Sequence, residues 1–438
     1  MLEEGKREQP PKLGFGSSFF LVVSSMIGAG VFTTSGFLAA SLGNSGDLLW
    51  AWGLGGLLAG AGALCFAELG AMIPKAGAEY VYVREIFGRR AGFLCGFVSL
   101  VAGFAAPIAG VSLAIAKYAE ALGWEGSPRL VAVLVVLLLT ALHARGLGLG
   151  LVANNAATVL KIVLCLLFIG AGFAVEESAS SAVTASAVSP GIMSSAFASA
   201  LVLVAFAYTG WNAAAYLAGE TKNPGKNLPR ALLAACAFVT LLYLGLNLVF
   251  LRALSLSEMS GEVAVGYAAA VKLFGERAGA WFGVGFVAIL VSTVSSFVLA
   301  GPRILWAMSE AGQLPKALAH KNGRGSPARA LWLQAALASV MVAFAALDDL
   351  LTYVGMTLSL FAGMAVLGLM ALRRRDPNRE RPFRVPWYPL PPLVFLGLSA
   401  WMMAWSLKES WIPALASAGT LALGLSLEFV LRPQPPKT

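Results

Sequence analysis

Very few residues of this chain have the types and spacing that covalent chemistry needs. The sequence contains only two histidines, His143 and His320, and lacks the HExxH, GxSxG and Walker patterns of metalloproteases, serine hydrolases and ATPases. Its four cysteines lie inside apolar runs, without a metal-binding spacing or the pattern of an extracellular disulfide framework; they are Cys65, Cys95, Cys165 and Cys236. We therefore predict that the chain is not an enzyme and holds no metal and no cofactor.

One ionisable residue, Lys161, lies deep inside a long apolar run. It follows Leu151 by ten residues, and ten helical residues at about 1.5 Å each cover half of a hydrocarbon core of about 30 Å. A lysine extends its amine to the headgroups from near a helix end, but not from this depth. We expect its ammonium to face the bundle interior and to find acceptors there. Two roles are open: a fixed cation in the place of a bound sodium ion, or a proton carrier.

Small and polar residues interrupt two apolar runs at comparable depths, at residues 24–30 (SSMIGAG) and 208–212 (YTGWN). An unwound helix in lipid leaves backbone groups unpaired, so it persists only where protein, water or a ligand satisfies them. Free N–H groups at the start of one half-helix favour an anion, and free carbonyls at the end of another favour a cation. An α-amino acid presents one of each. The alternative is that these glycines serve close helix packing.

The composition requires these runs to lie in a membrane. Hydrophobic residues make up 58% of the 438 residues and charged residues 12%, whereas soluble domains have roughly 45–50% and about 25%. A core of ordinary size cannot bury so much apolar surface. The runs are unbroken, which excludes the alternating strands of a membrane β-barrel. We predict an all-α integral membrane protein, multi-pass, in the cell (plasma or inner) membrane.

Twelve runs have about the 20 residues that a helix needs to cross the hydrocarbon core. They lie at residues 15–42, 48–73, 91–120, 129–145, 151–175, 192–219, 231–254, 279–308, 329–348, 351–372, 387–407 and 410–431. The two interrupted runs are the first and the sixth. Because five spans per repeat is an odd number, these two spans start on opposite sides of the membrane, which predicts an inverted repeat whose breaks meet near the midplane.

The basic residues orient the chain. Of the 31 lysines and arginines, 24 fall in segments on one side of the predicted spans and six on the other, and Lys161 belongs to neither. By the positive-inside rule both termini are cytoplasmic. The net charge of +9 thus needs no nucleic acid partner.

The predicted spans divide the chain into repeats and flanking segments. In order, these are a cytoplasmic tail at 1–14, the first inverted repeat (spans 1–5) at 15–175, an extracellular linker at 176–191, the second inverted repeat (spans 6–10) at 192–373, a basic cytoplasmic loop at 374–386, spans 11 and 12 at 387–431, and a cytoplasmic tail at 432–438. Residues 74–90 predict an amphipathic helix at the cytoplasmic interface. Glu68 either pairs with an inner-loop Arg or Lys as a gate contact or is a plain interfacial carboxylate, and Arg303 is predicted to be a cytoplasmic anchor.

Four stretches of the chain resemble the amino acid-polyamine-organocation superfamily, and within it the L-type transporters and the bacterial serine/threonine exchangers. They are SMIGAGVF at residues 25–32 and the stretches 68–92, 206–231 and 301–318. The resemblance implies a LeuT-like fold in which the backbone at 27–30 receives the substrate carboxylate and carbonyls near Phe206 and Ala207 receive the amino group. It further implies that Phe206 is an aromatic gate, and that Lys161 stands where sodium-coupled relatives hold an ion.

The predicted site combines the breaks with this resemblance. The substrate-binding residues are Ser25, Met26, Ile27, Gly28, Ala29, Gly30, Phe206, Ala207, Tyr208 and Asn212, and Lys161 is the mimic of a bound ion. Side-chain selectivity is predicted from the absence of an acidic residue near either break, which favours a small or medium neutral amino acid. Asn212, Ser292, Ser295 and Ser296 are candidate pocket polars; the alternative is that each helical hydroxyl bonds its own backbone.

These observations predict a sodium-independent secondary transporter that moves neutral L-amino acids across the lipid bilayer by alternating access, as an exchanger or as a proton symporter. One alternative is transport of cationic amino acids or polyamines. Another is a channel or a non-transporting sensor, although no span offers the polar stripe of a pore. No cysteine lies between the third and fourth spans, where animal relatives are disulfide-bonded to a glycoprotein. We therefore expect no disulfide-linked heavy chain.

Overall fold

The computed structural model describes residues 13–145, 151–175, 191–323 and 326–431. The predicted tails at 1–14 and 432–438 and the predicted linker at 176–191 lie almost wholly outside these residues. Within the described part of the chain, regular structure is helical apart from one β-bridge between Leu13 and Thr221.

The α-helices of the first half follow the apolar runs closely. They are α1 (Phe15–Met26), α2 (Ala29–Leu42), α3 (Ser45–Met72), α4 (Ala78–Phe87), α5 (Arg89–Val98), α6 (Ala106–Ala121), α7 (Pro128–Ala144) and α8 (Leu151–Ala174). A π-helical segment, Ser99–Ala105, joins α5 to α6 into one long span. The short helix α4 lies within residues 74–90, as predicted, but its burial changes along its length: residues 78–83 are buried or half-buried, and Arg84, Glu85 and Phe87 at its end are exposed. Its amphipathic role at the cytoplasmic interface stays a prediction.

In the second half of the chain, the first helix is followed by a break and then by a 3₁₀ segment, and longer helices come after them. The helices are α9 (Ser195–Ala207), α10 (Pro224–Ala253), α11 (Leu256–Met259), α12 (Val265–Ala300), α13 (Pro302–Glu310), α14 (Ala328–Phe344), α15 (Leu347–Arg375), α16 (Leu390–Glu409) and α17 (Trp411–Val430). The 3₁₀ segments are Ala213–Glu220 and Lys316–Leu318. Helix α12 contains most of the eighth span, predicted at 279–308, but starts before it, at Val265. The helix turns sharply at Gly275, where φ is +78°.

Nine helical stretches in the described residues are long and apolar enough to cross a membrane. Three further apolar helices are shorter: α7, α9 and α14. Together these segments occupy the positions of the twelve predicted spans, which fits an all-helical integral membrane protein. Large apolar side chains such as Leu138, Leu160 and Phe344 are exposed on the outer surface, as lipid-facing residues are in a membrane protein. The count of twelve spans, the repeat and the location of the termini stay predictions.

The first run is broken where the sequence predicts it. Helix α1 ends at Met26, Ile27 and Gly28 are extended, and α2 starts at Ala29. A Cβ atom on Gly28 would lie 2.8 Å from the methyl group of Thr293, and one on Gly30 would overlap the backbone of Ala207. Glycine at these positions therefore lets α12 and α9 approach the break.

The sixth run is also broken at the predicted place. Helix α9 ends at Ala207, and residues 208–212 form turns before the 3₁₀ segment. Gly210 has φ of +94°, a conformation that favours glycine. A Cβ atom there would lie 2.7 Å from Cβ of Ser25, so the two breaks touch at this point.

The halves of the two broken spans are paired crosswise. Helix α2 packs against α9, and α1 packs against the 3₁₀ segment Ala213–Glu220. The first half of one span thus lies beside the second half of the other, as in two antiparallel segments. This arrangement brings all four backbone ends of the breaks to one place inside the bundle.

Candidate functional site

A cavity of about 860 Å³ adjoins the two breaks, within the size range of small-molecule sites. Its wall includes Ser25 beside the first break, Thr293 on α12, and the residues of the second break from Tyr208 to Ala213. It extends to Arg303 and Lys321, which the charge distribution predicts to be on the cytoplasmic side.

Lys161 lies beside the first break. Its side chain is 1% exposed, and its Nζ atom donates to the carbonyl oxygens of Ser24 and Ile27, both at 3.3 Å, and to Oγ1 of Thr293 at 3.0 Å. The ammonium therefore faces the bundle interior, where three oxygen atoms accept its hydrogens. This is the environment expected for a charge held near the middle of a membrane.

Thr293 is a site residue that the sequence analysis missed. Its Oγ1 atom accepts from Lys161 and lies 3.1 Å from the carbonyl oxygen of Ile27 and 2.9 Å from that of Ile289. The predicted pocket serines Ser292 and Ser295 are its close neighbours in sequence. Thr293 lies at the middle of the predicted span 279–308, so the position of its hydroxyl was a usable signal. The sequence did not say which face of the helix meets the break.

Tyr243 connects the two breaks and was also missed. Its hydroxyl lies 2.5 Å from the carbonyl oxygen of Met26 in the first break and 3.1 Å from that of Ala207 at the end of α9. A phenol has one proton to donate, so it bonds one of these carbonyls at a time. Its ring packs edge-on against Trp52 and Tyr208. A single buried tyrosine in an apolar run gives little hint of this role.

The structure places the predicted substrate-binding residues in two groups. Ser25, Tyr208 and Asn212 line the cavity. The others are buried behind the cavity wall and do not line it: Met26, Ile27, Gly28, Ala29, Gly30, Phe206 and Ala207. Contact between the substrate and either group stays a prediction.

The carbonyls at the end of α9 already have hydrogen-bond donors. The carbonyl oxygen of Phe206 accepts from the N–H and the hydroxyl of Thr209, at 2.9 and 2.7 Å. That of Ala207 has the Tyr243 hydroxyl nearby. A ligand amino group would therefore share or replace these donors. On α2, by contrast, the first N–H groups have no acceptor within their own helix.

Comparison with known proteins shows the family of the chain. The family model described as amino acid permease matches residues 13–419. The chain belongs to the amino acid permease family. Its relatives are transporters, so the protein is a multi-pass transporter of the cell membrane and not an enzyme.

Curated relatives of this permease have similar lengths. The serine/threonine exchanger SteT of Bacillus subtilis (strain 168) is 33% identical over 425 residues, covering 95% of this chain and 93% of that protein. The mouse b(0,+)-type amino acid transporter 1 is 29% identical, covering 88% of this chain and 80% of that protein. The mouse large neutral amino acids transporter small subunit 2 is also 29% identical, covering 90% and 76%. These similarities confirm the superfamily that the motifs indicated.

The candidate pocket serines of the permease have three different environments. Ser295 is buried, and its hydroxyl is 2.8 Å from Nε2 of His143. Ser296 lines the cavity and donates to the carbonyl oxygen of Ser292, as the alternative for helical hydroxyls expects. Ser292 itself does not line the cavity. His143, on the last turn of α7, is a further cavity residue that sequence reasoning did not identify.

The expectation that no acidic residue lies near either break is wrong. Glu79 on α4 accepts a hydrogen bond from the side-chain amide of Asn212, the last residue of the second break. The carboxyl is 7% exposed and lines the cavity. Burial raises its pKa to about 7 from an ordinary value of 4.5. The two residues are far apart in the sequence, so only the fold shows the contact.

Glu68 is fully buried and pairs with two arginines. Nε of Arg373 donates to its carboxyl at 2.9 Å and the guanidinium makes a second contact, while Nε of Arg381 lies 3.3 Å away. The backbone N–H of Val385 adds a hydrogen bond at 2.7 Å. Of the two interpretations of Glu68, pairing with inner arginines is therefore the observed one. Arg303 lies exposed at the cavity mouth.

In the described residues, no group of three or more His, Cys, Asp or Glu side chains is placed to hold a metal ion. The four cysteines are buried and are free thiols. Among the residues that the structure describes, the polar groups at the breaks include backbone amides, hydroxyls, the Asn212 amide with its Glu79 partner, and the Lys161 amine. Such groups can orient a small charged molecule.

Proposed function

We propose that this permease moves small or medium neutral L-amino acids by sodium-independent alternating access, as an exchanger. The fold we propose for this is the LeuT-like one, with twelve spans, two inverted repeats of five and both termini in the cytoplasm. The crosswise packing of the two broken spans supports the inverted repeat. The relative named a serine/threonine exchanger supports both the substrate class and the exchange mode.

The position of the Lys161 ammonium is the observation that supports sodium independence. It is bound by two backbone carbonyls of the first break and by the hydroxyl of Thr293. Carbonyl and hydroxyl oxygens from two spans are the kind of ligands that a hard cation takes in proteins. A covalently attached cation in this position leaves no need for a sodium ion to hold α12 against the break.

The amino acid would lie between the two breaks. Its carboxylate would bind the free N–H groups at the start of α2, where the partial positive charge of the helix end favours an anion. Its ammonium would bind the carbonyl oxygens of Phe206 and Ala207, replacing Thr209 and Tyr243 as donors. Both breaks would then be satisfied by one zwitterion, and the residues from Ser25 to Gly30 would act mainly through their backbone.

Labelled uptake into proteoliposomes tests this function. The purified protein is reconstituted with internal unlabelled serine or with buffer alone, and uptake of labelled serine is measured with sodium or with potassium as the only cation. We expect uptake that needs internal amino acid and is equal in the two salts. Uptake that requires sodium would refute the role of Lys161. Uptake that requires an acidic exterior and no internal amino acid would favour proton symport.

A further inference from the structure

Glu79 is an acidic side chain of the cavity wall that the substrate site does not use. It projects from α4, and its carboxyl is more than nine-tenths buried. One oxygen accepts from the amide of Asn212. The Tyr216 phenol approaches the carboxyl, but the second oxygen accepts no hydrogen bond of regular geometry. A buried carboxylate normally needs a cation or several donors.

No cation compensates this carboxyl in the described residues. The titratable groups that face it are phenols and a thiol: Tyr82 on α4, Tyr216 on the 3₁₀ segment and Cys95 on α5. Neighbouring charges are engaged elsewhere, since Glu68 on α3 pairs with Arg373 on α15. The other titratable groups of the cavity wall are outside ion-pair distance of Glu79; they are His143, Glu220, Arg303 and Lys321.

We propose that the Glu79 carboxyl is a proton-binding site of the transport pathway, and that it must be neutral before the cavity closes. In the open cavity the carboxyl is already largely buried, and the little water that still reaches it stabilises the carboxylate. Closing the cavity removes that water, so an ionised and unpaired carboxylate would lose its solvation without gaining a partner. The neutral acid avoids this cost and its O–H can donate to a neighbouring acceptor. This inference rests on the proposed exchange, because closure is a step of alternating access.

The location of Glu79 links its protonation to the site. Asn212 is the last residue of the second break and holds the carboxyl from that side, while α4 holds it from the other. A change in the charge of Glu79 therefore acts on the contact between α4 and the broken span. The proton binds to Glu79 from the open cavity. It either returns to that cavity or crosses the membrane in both directions of the exchange cycle. Exchange can therefore depend on pH without net proton transport.

The pH dependence of exchange tests the proposal. Serine–serine exchange is measured with equal pH inside and outside the liposomes, from about pH 5.5 to about pH 8.5. We expect the wild-type rate to fall by about tenfold or more as pH rises through the pKa of Glu79. The Glu79→Gln variant, a permanent mimic of the neutral acid, should keep the fast rate throughout. His143→Gln, which removes the buried imidazole of the wall, should keep the pH dependence of the wild type.

A labelling experiment gives an answer even if Glu79→Gln does not transport. Leu358 lines the cavity on α15, and all four native cysteines are buried, so Leu358→Cys supplies an accessible reporter. Its reaction with a membrane-impermeant maleimide is compared with that of Leu358→Cys/Glu79→Gln at the same pH. We expect labelling to be at least about threefold faster with Glu79 than with Gln at high pH, and equal at low pH.

Equal pH profiles of exchange in the wild type and in Glu79→Gln would overturn the proposal, and so would equal labelling rates at all pH values. The labelling test needs no substrate. A chain that exchanges no neutral amino acid but labels as expected would therefore contradict the proposed function while supporting the proton site.

Discussion

Lys161 is the residue that we propose takes the place of a bound ion. Its ammonium is covalently attached to α8, yet two of its acceptors are backbone carbonyls of the first break and the third is a hydroxyl of α12. Hydrogen bonds to a charged donor are worth about 1.5–3 kcal/mol each. The burial of the charge opposes that gain with a cost of several kcal/mol. The two effects offset each other, so the residue orients the break more than it stabilises the fold.

We therefore expect Lys161→Ala to lose transport while remaining folded. Without the ammonium, the carbonyls of Ser24 and Ile27 lose a donor, and only the Thr293 hydroxyl still joins α12 to the carbonyl of Ile27. Uptake in proteoliposomes should fall at least about a hundredfold, which corresponds to about 3 kcal/mol. The melting temperature in detergent should change by only a few degrees. Lys272→Ala removes an exposed lysine that pairs with Glu258 and should transport normally; a Lys161→Ala protein with wild-type uptake would contradict the assigned role.

Tyr243 gives a second prediction at the scale of one residue. Tyr243→Phe removes only the hydroxyl that lies between the carbonyls of Met26 and Ala207. A buried carbonyl left without its donor costs about 1–3 kcal/mol, and here it would loosen the relative position of the two breaks. We expect affinity for serine, measured by calorimetry, to weaken by about tenfold. Tyr353→Phe, which removes a hydroxyl that bonds Thr420 on α17, is the matched control and should bind normally.

The sequence predicted Lys161 as a site residue but not Thr293, Tyr243 or Glu79, and the reason is physical. The depth of a lysine in an apolar run follows from residue counting, and its cost in lipid implies an interior position. Thr293, Tyr243 and Glu79 each act through a contact with a residue far away in the chain. Their types are ordinary for buried positions, so nothing local marks them before the spans are packed.

The two breaks are the elements on which the site depends, and glycine allows them to meet. Gly30, the second residue of α2, lies directly against Ala207. We expect Gly30→Ala to abolish serine binding in a thermal-shift assay, because its methyl group would push α9 away from α2. In α3, Gly60→Ala adds the same methyl group where nothing lies within 4 Å. That control should bind serine as the wild type does, whereas normal binding by Gly30→Ala would mean that the breaks tolerate separation.

At the scale of elements the sequence predicted the breaks within one or two residues. Small residues in the middle of an apolar run are a local signal, and the interruptions fall at Ile27–Gly28 and at residues 208–212, as expected. The π-helical segment Ser99–Ala105 was not predicted. The apolar run continues through it, so a hydropathy pattern cannot locate it.

At the scale of the whole molecule, Glu68 connects distant parts of the chain on the predicted cytoplasmic side. This carboxylate of α3 receives Arg373 from the end of α15, and Arg381 and Val385 from the basic loop at 374–386. The ring of Tyr388 stacks on the Arg373 guanidinium at 4.0 Å. One buried charge thus fixes a helix of the first predicted repeat, a helix of the second, and the chain that leads to α16.

Glu68→Gln should therefore destabilise the molecule and release this loop. Removing one member of a buried ion pair leaves the other charge uncompensated, at a cost of about 3–5 kcal/mol. We expect a melting temperature lower by several degrees and faster tryptic cleavage at the arginines of the loop, both measured in detergent. Glu85→Gln breaks exposed pairs with Lys75 and Arg379, which contribute about 1 kcal/mol or less. Glu85→Gln is therefore the control. If Glu68→Gln and Glu85→Gln have the same melting temperature and the same rate of tryptic cleavage, Glu68 does not hold the loop against α3 and α15.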